Sequence, residues 1–390
     1  MASGFTFGFS GDDVDIDESD PQFDGGDVQN QNQTSRNGEE SQPLVEAKRW
    51  DGEEWLSTLP SQISYNKVSI PSSTNGGKDV ALGRREVFDI RTQLMAEDDN
   101  DNDELISGLE EGDIKPNFYE GGFKTWECAL DLARMMASEE GKELLLDNGS
   151  DGTDVHIIEL GAGSAMPSLS IFAQLLSLPK SQSSRRVHFT FADYNSAVLR
   201  LVTVPNLLLT WKLNSHKEAT TSTGPTAEQQ AEEKKEEEEE ELDIDPSLLD
   251  AFRTDLKDRG ITIDFISGAW SPEFVELALT AQRDHEGRPW RTLILASETI
   301  YSPSSLGAFS ETLLSLLRRC DAGGPTTGSR QTRGLVAAKK VYFGVGGGVD
   351  EFLAVLNEMA GEAVEVQQRV EVKTEGVGRV VLQVKMASSS

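Results

Sequence analysis

Two hydrophobic patterns alternate along the chain between Val155 and Met386. Val155–Leu160 is a short apolar run bounded by Asp154 and Gly161, the pattern of a buried strand. A helical stretch follows from about Ala165 to Leu178, with Pro167 in its first turn, where a missing N–H costs little. The alternation repeats as strand His188–Ala192 and helix Ser196–Trp211, then strand Ile261–Ile266 and helix Pro272–Ala281. Strand Thr292–Ala296, helix Ser304–Arg319, strand Leu335–Phe343 and helix Val349–Met359 continue it. Two period-2 segments, Ala363–Val372 and Arg379–Met386, close the chain with residues 374–378 between them. Strands alternating with helices predict an α/β fold with a mostly parallel, doubly wound sheet. No helix separates the last two strands, so this C-terminal hairpin must place one strand antiparallel at the end of that sheet. A plain dinucleotide-binding fold does not end in this way.

The N-terminal third is patterned differently. Residues 1–47 are rich in Asp, Gln, Asn, Gly and Ser and bury too little apolar area to offset ordering entropy, so a disordered acidic tail is expected. Phe5, Phe7 and Phe9 at its start read either as a small docking motif or as an idle end. Residues 48–118 scatter Trp50, Trp55, Ile63, Tyr65, Val68 and Ile70 among turn residues, and Val87, Ile90 and Leu94 share one helical face. This stretch is expected to be an extension packed on the core, with an acidic loop near 96–113. Residues 119–390 make the main domain, interrupted at about 213–256 by an acidic insertion that is expected to be disordered.

Charge sharpens the division. Acidic residues number 67 and basic residues 36, a net charge of −31 over 390 residues. Residues 1–47 hold eleven acids against Arg36, residues 96–113 nine acids and no base, and residues 226–245 eleven acids against Lys234 and Lys235. The remainder is nearly neutral. No Lys/Arg cluster exceeds two adjacent residues, so direct DNA binding lacks its electrostatic footprint, whereas a basic protein partner suits the acidic arms. No apolar run approaches the ~20 residues that cross a membrane, and the first residues lack the basic and apolar regions of a secretory signal. Cys128 and Cys320 form no CxxC pair, so neither a disulfide scaffold nor a cysteine metal site is expected, and an intracellular setting follows.

Four motifs carry chemistry. Glu159-Leu160-Gly161-Ala162-Gly163-Ser164-Ala165 follows the first strand and opens a helix, where glycines let backbone approach a ligand and the helix N-terminus favours anionic groups. It suits a nucleotide-like ligand, although a mere tight turn has the same shape. Asp193 ends the second strand, 32 residues beyond Gly161. An acid there is placed to accept hydrogen bonds from ribose hydroxyls, or else to cap the next helix, a role Asn195 already supplies. Gly268-Ala269-Trp270 follows the third strand on the same carboxyl edge. Trp270 could cover an adenine face while Gly268 permits close approach, or it could be a core tryptophan. Ser297-Glu298-Thr299-Ile300-Tyr301 leaves the fourth strand, and Glu298 and Tyr301 are candidates for gripping a second substrate, unless Glu298 is an exposed loop acid.

Together these residues carry a resemblance. The Glu-x-Gly-x-Gly turn, the acid after strand two and the closing hairpin resemble the Rossmann-like, seven-stranded class I methyltransferases that use S-adenosylmethionine. Within them, Tyr119-Glu120-Gly121-Gly122-Phe123-Lys124-Thr125-Trp126-Glu127-Cys128 is similar to the hallmark of the protein-histidine N-methyltransferases. So are Asp193-Tyr194-Asn195-Ser196, the segment 297–301, and the run Tyr342-Phe343-Gly344-Val345-Gly346-Gly347-Gly348-Val349. The resemblance implies cofactor contacts from Thr125, Trp126, Glu127, Cys128 and Ala129, from Gly161, from Ala192, Asp193 and Tyr194, from Gly268, Ala269 and Trp270, and from Ser297. Glu159 and Gly163 belong to the cofactor turn on the residue reading alone. Ala165 stands where relatives usually carry a third glycine. The resemblance also implies S-adenosylmethionine as cofactor, no metal, and as substrate a histidine, modified at the tele nitrogen, of the universal third protein of the large ribosomal subunit, a very basic protein. A monomer working in cytoplasm and nucleus is expected.

Methyl transfer from a sulfonium is chiefly a problem of alignment, with the nucleophilic nitrogen about 3 Å from the methyl carbon. A histidine of pKa near 6.5 is mostly neutral at pH 7, whereas a lysine near 10.4 is neutral in about one molecule in 2,500. A histidine enzyme therefore needs only to accept the proton of the other ring nitrogen. Glu298 is the expected acceptor, with Tyr301 as an orienting hydroxyl. The same carboxylate could bind a lysine ammonium, so a lysine methyltransferase stays open on the residues, as does a non-catalytic acidic escort of a basic ribosomal protein.

Overall fold

Apolar runs become the centre of the sheet, and the polar N-terminal region supplies its edge and its props. In the computed structural model the described residues are 45–71, 79–97, 121–138, 140–141, 153–180, 185–215, 240–284, 290–322, 332–373 and 376–387. The tail 1–44 and the acidic stretches 98–120 and 216–239 lie outside them. The elements in chain order are β1 (Lys48–Trp50), α1 (Gly52–Ser57), β2 (Gln62–Ile70), β3 (Val80–Arg85), α2 (Val87–Ala96), α3 (Glu127–Ala137), β4 (Asp154–Leu160) and α4 (Met166–Ser177). Next come β5 (Val187–Asp193) and a long helix α5, made of Ser196–Val198, a π turn at Leu199–Thr203 and Val204–Ser215. They are followed by β6 (Glu240–Asp243), α6 (Pro246–Asp258), β7 (Ile261–Ser267), α7 (Pro272–Ala278), α8 (Thr280–Asp284), β8 (Trp290–Ser297) and α9 (Pro303–Ala322). The chain ends with β9 (Arg333–Lys339), α10 (Val349–Ala360), β10 (Val364–Val372) and β11 (Arg379–Met386).

The main sheet runs β1-β7-β5-β4-β8-β9-β11-β10. Strands β7, β5, β4, β8 and β9 are mutually parallel, and β11 lies antiparallel between β9 and β10. This is the mostly parallel, doubly wound sheet with a closing hairpin that the pattern predicts. Strands β4 and β5 are buried at every position, which is why they read as apolar runs rather than as alternations.

The seven strands expected form the run β7-β5-β4-β8-β9-β11-β10, and an eighth, β1, joins its edge by pairing antiparallel with β7 through Lys48↔Ser267, Arg49↔Ile266 and Trp50↔Phe265. Trp50 Nε1 donates to Ser267 Oγ at 2.7 Å, and its ring stacks on Trp55 at 5.3 Å. A three-residue strand has no period to detect, yet it covers the edge that β7 would otherwise expose.

The insertion expected to be disordered over about 213–256 is folded at both ends. Helix α5 runs on to Ser215, and β6 and α6 are regular elements. Strand β6 pairs with β2, burying Leu242, while the Tyr65 hydroxyl donates to Glu240 at 2.7 Å. Asp245 caps α6 by accepting from the Leu248 N–H at 2.8 Å, with Pro246 in the first turn. Phe252 then packs on Trp211, whose Nε1 donates to Asp255 at 2.9 Å. The acids at this end are cap and hydrogen-bond partners, which charge counting cannot distinguish from a solvated run. Finally, β9 ends at Lys339 rather than Phe343, and the expected helix 272–281 breaks into α7 and α8 at Leu279.

The extension also supports the site. Strands β3, β2 and β6 form a second sheet against α5, so close that a Cβ on Gly83 would fall 2.3 Å from Leu209 Cβ. Arg85 is fully buried; its guanidinium donates to Asp89 and Gln93 at 2.7 Å and to the Leu201 carbonyl, inside the π turn, at 3.0 Å. From that turn Thr203 Oγ1 donates to the Gly163 carbonyl at 2.7 Å, and one turn later Asn206 donates to the Ser164 carbonyl at 3.1 Å. A π turn opens the i→i−4 ladder and often marks a functional site. Here it hands the extension's rigidity to the glycine turn.

Candidate active site

The carboxyl ends of β5, β4, β8 and β9 open onto a cavity of about 150 Å³, the edge on which open α/β sheets bind ligands. A larger hollow of about 550 Å³ reaches the amino ends of β5 and β7 near Arg186 and Gly260. It touches none of the glycine turn, so its size does not make it the site.

The glycine turn takes its shape from three left-handed positions at alternate residues. Gly161 has φ +66° and Gly163 φ +50°, and Ala165 sits at φ +58° as the residue preceding α4. Ala165 thus adopts the conformation a third glycine would take, with its methyl fully buried. The Gly163 N–H donates to Asp193 Oδ2 at 3.0 Å, and the Asn195 N–H to Asp193 Oδ1 at 3.2 Å. Asp193 therefore ties the turn after β4 to the end of β5 while facing the cavity. Asn195 occupies the N-cap position of α5 but makes no side-chain cap bond. Trp270 closes this end, edge-on to Phe274 at 5.1 Å and Phe309 at 6.0 Å.

The other end is built from β8 and β9. Glu298 stands just past β8 at φ +55°, a left-handed backbone costing on the order of 1–3 kcal/mol for a residue with a side chain. Its Oε1 accepts from the Cys128 N–H at 3.4 Å, in the first turn of α3, and its Oε2 accepts from the Tyr342 hydroxyl. That hydroxyl in turn accepts from the Lys339 N–H at 3.2 Å. Burial first, and then the Glu298 charge, push the Tyr342 phenol well above its ordinary pKa, so it remains a protonated donor. The same two causes raise the Cys128 thiol. Tyr301 lies beside Tyr342 with ring centroids 6.3 Å apart. The hydroxyl that orients Glu298 is therefore that of Tyr342, not Tyr301.

Of the residues singled out from sequence, Trp126, Ala129, Gly161, Gly163, Asp193, Tyr194, Trp270, Ser297, Glu298 and Tyr301 come together in the cavity wall. Seven others do not line it, each for a visible reason. Cys128 is fully buried in the core, and Glu127 pairs with Arg379 at 3.2 Å and Lys339 at 3.7 Å. Thr125 hides its hydroxyl without a partner among the described residues. Glu159 is buried beneath the turn, where Oε2 accepts from the Ser168 N–H at 3.0 Å, and burial raises its pKa to about 8. The carbonyl of buried Ala192 accepts from the Ala162 N–H at 2.8 Å. Gly268 makes room for protein rather than ligand: a Cβ there would fall 2.5 Å from the Glu46 carbonyl oxygen, and the Ala269 N–H donates to the Val45 carbonyl at 2.9 Å.

Gly268→Ala is accordingly expected to cost about 2–3 kcal/mol, from φ +117° and this overlap. Faster amide exchange at Lys48–Trp50 would report the loosened β1, and an unchanged denaturation midpoint would sink the assignment.

Sequence reasoning missed Lys124, Thr299, Lys339, Tyr342 and Val345, all in the wall. All but Lys339 lay within quoted motifs without a role of their own, and nothing in the spacing of Tyr342 and Val345 says that the loop after β9 folds back over β8.

No family model matches the chain. It is 33% identical to "Histidine protein methyltransferase 1" of Schizosaccharomyces pombe over 98% of this chain and 93% of that protein. It is likewise 33% identical to the protein of the same name in Saccharomyces cerevisiae, over 91% of this chain and 90% of that one. The "Histidine protein methyltransferase 1 homolog" of Rattus norvegicus is 29% identical over 70% of this chain and 58% of its own length. Among solved structures, an rRNA methyltransferase from Streptomyces viridochromogenes aligns with a TM-score of 0.31 at 11% identity, over 67% of this chain and 89% of that one. Those last values are too low to weigh.

Proposed function

The chain belongs to the histidine protein methyltransferase family, and on that premise we propose that it moves a methyl group from S-adenosylmethionine to a histidine of a basic large-subunit ribosomal protein. The observation that carries this reading is the single cavity joining the Gly161–Asp193 turn at one end to the Glu298–Tyr342 pair at the other.

The residues present fit the cofactor. Thr299 is 91% buried in the cavity wall with a hydroxyl that has no partner among the described residues, and a polar ligand atom would satisfy it. Asp193 would take the ribose hydroxyls, its carboxylate already held from behind by two N–H groups. Trp270 would lie against the base. When bound, S-adenosylmethionine supplies a methyl carbon already activated by a sulfonium. The chain's task is to hold the acceptor ring in line and receive the proton of its second nitrogen. Glu298, oriented by the Tyr342 hydroxyl and the Cys128 N–H, is the group placed to receive it.

Charge supports the choice of partner. The core is nearly neutral, while two of the three acidic stretches join the described chain near the cavity, residues 1–44 at Val45, whose carbonyl accepts from Ala269 next to Trp270, and 98–120 at Gly121 in the wall. A basic ribosomal protein would be drawn to that mouth, and the enzyme would meet it in the cytoplasm and nucleus. Incubating the chain with labelled S-adenosylmethionine and purified ribosomal proteins, then mapping the label by mass spectrometry, tests this directly. Label on one histidine of a large-subunit protein is the expected result. Label on a lysine, or none, would end the reading.

A further inference from the structure

Around Tyr342 the loop 340–348 turns three apolar side chains into water: Val341 is 47% exposed, Phe343 67% and Val345 46%. The backbone beneath them is pinned. Tyr342 N–H donates to the Gly347 carbonyl and Gly346 N–H to the Tyr342 carbonyl, both at 3.1 Å, and Val341 bridges Gly348. Gly344 and Gly346 adopt φ +78° and +90°, and Gly347 lies so tightly on the preceding loop that a Cβ would fall 2.1 Å from the Tyr301 carbonyl oxygen. A loop free to fold inward could hide these side chains. This one cannot, so their exposure is retained.

Val345 is at once exposed and part of the cavity wall, on the side that holds Glu298 and Tyr301. A polypeptide that inserts a side chain toward Glu298 meets Val345 in the same cavity wall. Extended residues are spaced by ~3.3–3.6 Å, which brings the neighbours of an inserted histidine within reach of this rim. A second copy of the chain is disfavoured as the occupant, since each carries a net charge of −31.

We propose that Val341, Phe343 and Val345 form an apolar collar that docks the substrate polypeptide and selects acceptor histidines with a large apolar residue within two positions in sequence. The inference rests on the transferase reading above and adds to it a substrate requirement.

Synthetic peptides that share one composition, with the target histidine flanked either by Leu and Trp or by Ser, test it with the intact enzyme. The wild type is expected to favour the apolar flank about tenfold in kcat/KM, through KM. Phe343→Ser is expected to bring the two peptides within about twofold, with kcat, S-adenosylmethionine affinity by calorimetry and melting temperature unchanged. Wild-type indifference to the flank, a preference that survives Phe343→Ser, or no transfer to any peptide overturns the collar. Peptides in which a lysine is modified instead would sink the histidine reading alone, because the flank preference is scored on whichever residue receives the methyl.

Discussion

Glu298→Gln is expected to lower kcat on the order of 10²–10³-fold while S-adenosylmethionine affinity stays within about threefold. The carboxylate is held from two sides, by the Cys128 N–H and the Tyr342 hydroxyl, on a strained left-handed backbone. That strain places a charge acceptor where glutamine offers only a weaker neutral one. Tyr342→Phe removes one of the two props and is expected to cost about tenfold in kcat. Because Tyr342 acts through Glu298, the double variant should be no slower than Glu298→Gln alone. Rapid-quench single-turnover rates on the three variants decide the matter. Full turnover by Glu298→Gln removes it as the proton acceptor, and additive losses would mean that Tyr342 touches the substrate on its own account.

The second large effect concerns Glu159, which lies beneath the glycine turn without reaching the cavity. Its ordinary value is 4.5, and burial raises it to about 8 in the folded protein. The native state thus holds a proton that the unfolded state releases. Stability contributed by this group is fully present below about pH 4.5 and is lost as pH rises toward 8, at about 1.4 kcal/mol per unit. Glu159→Gln resembles the protonated acid and does not titrate. The variant should match the wild type at pH 5 and exceed it at pH 8 by a few kcal/mol, seen as a melting temperature higher by several degrees. Denaturant midpoints taken at pH 5, 6.5 and 8 check this. Parallel curves for the two proteins would show that Glu159 is already ionised in the folded state.

The fold was legible wherever a strand is buried on both faces. Strands β4 and β5 are legible because a short apolar run between turn residues, repeated in alternation with helical stretches, suits a strand buried on both faces of a parallel sheet. The hairpin β10–β11 was legible from two adjacent strand-like runs with no helix between them. Strand β1 was not, since three residues carry no period and its partner lies more than two hundred positions away. Residues 240–258 were misread because glutamates and aspartates in solvent and those that cap a helix or accept from Tyr65 are the same letters.

The site divides along the same line. Gly161, Gly163, Asp193 and Trp270 could be named from sequence because a turn's backbone demand and a strand's end are local properties, set within a few residues. Tertiary structure alone decided that Gly268 accommodates the Glu46–Ala47 backbone, that Cys128 and Glu159 turn away from the cavity, and that Tyr342 rather than Tyr301 holds Glu298. These outcomes depend on which distant segments meet across the sheet edge, and local pattern carries no information about distance through space. The sequence determined the scaffold and the glycine turn. Packing chose the hydroxyl that holds Glu298.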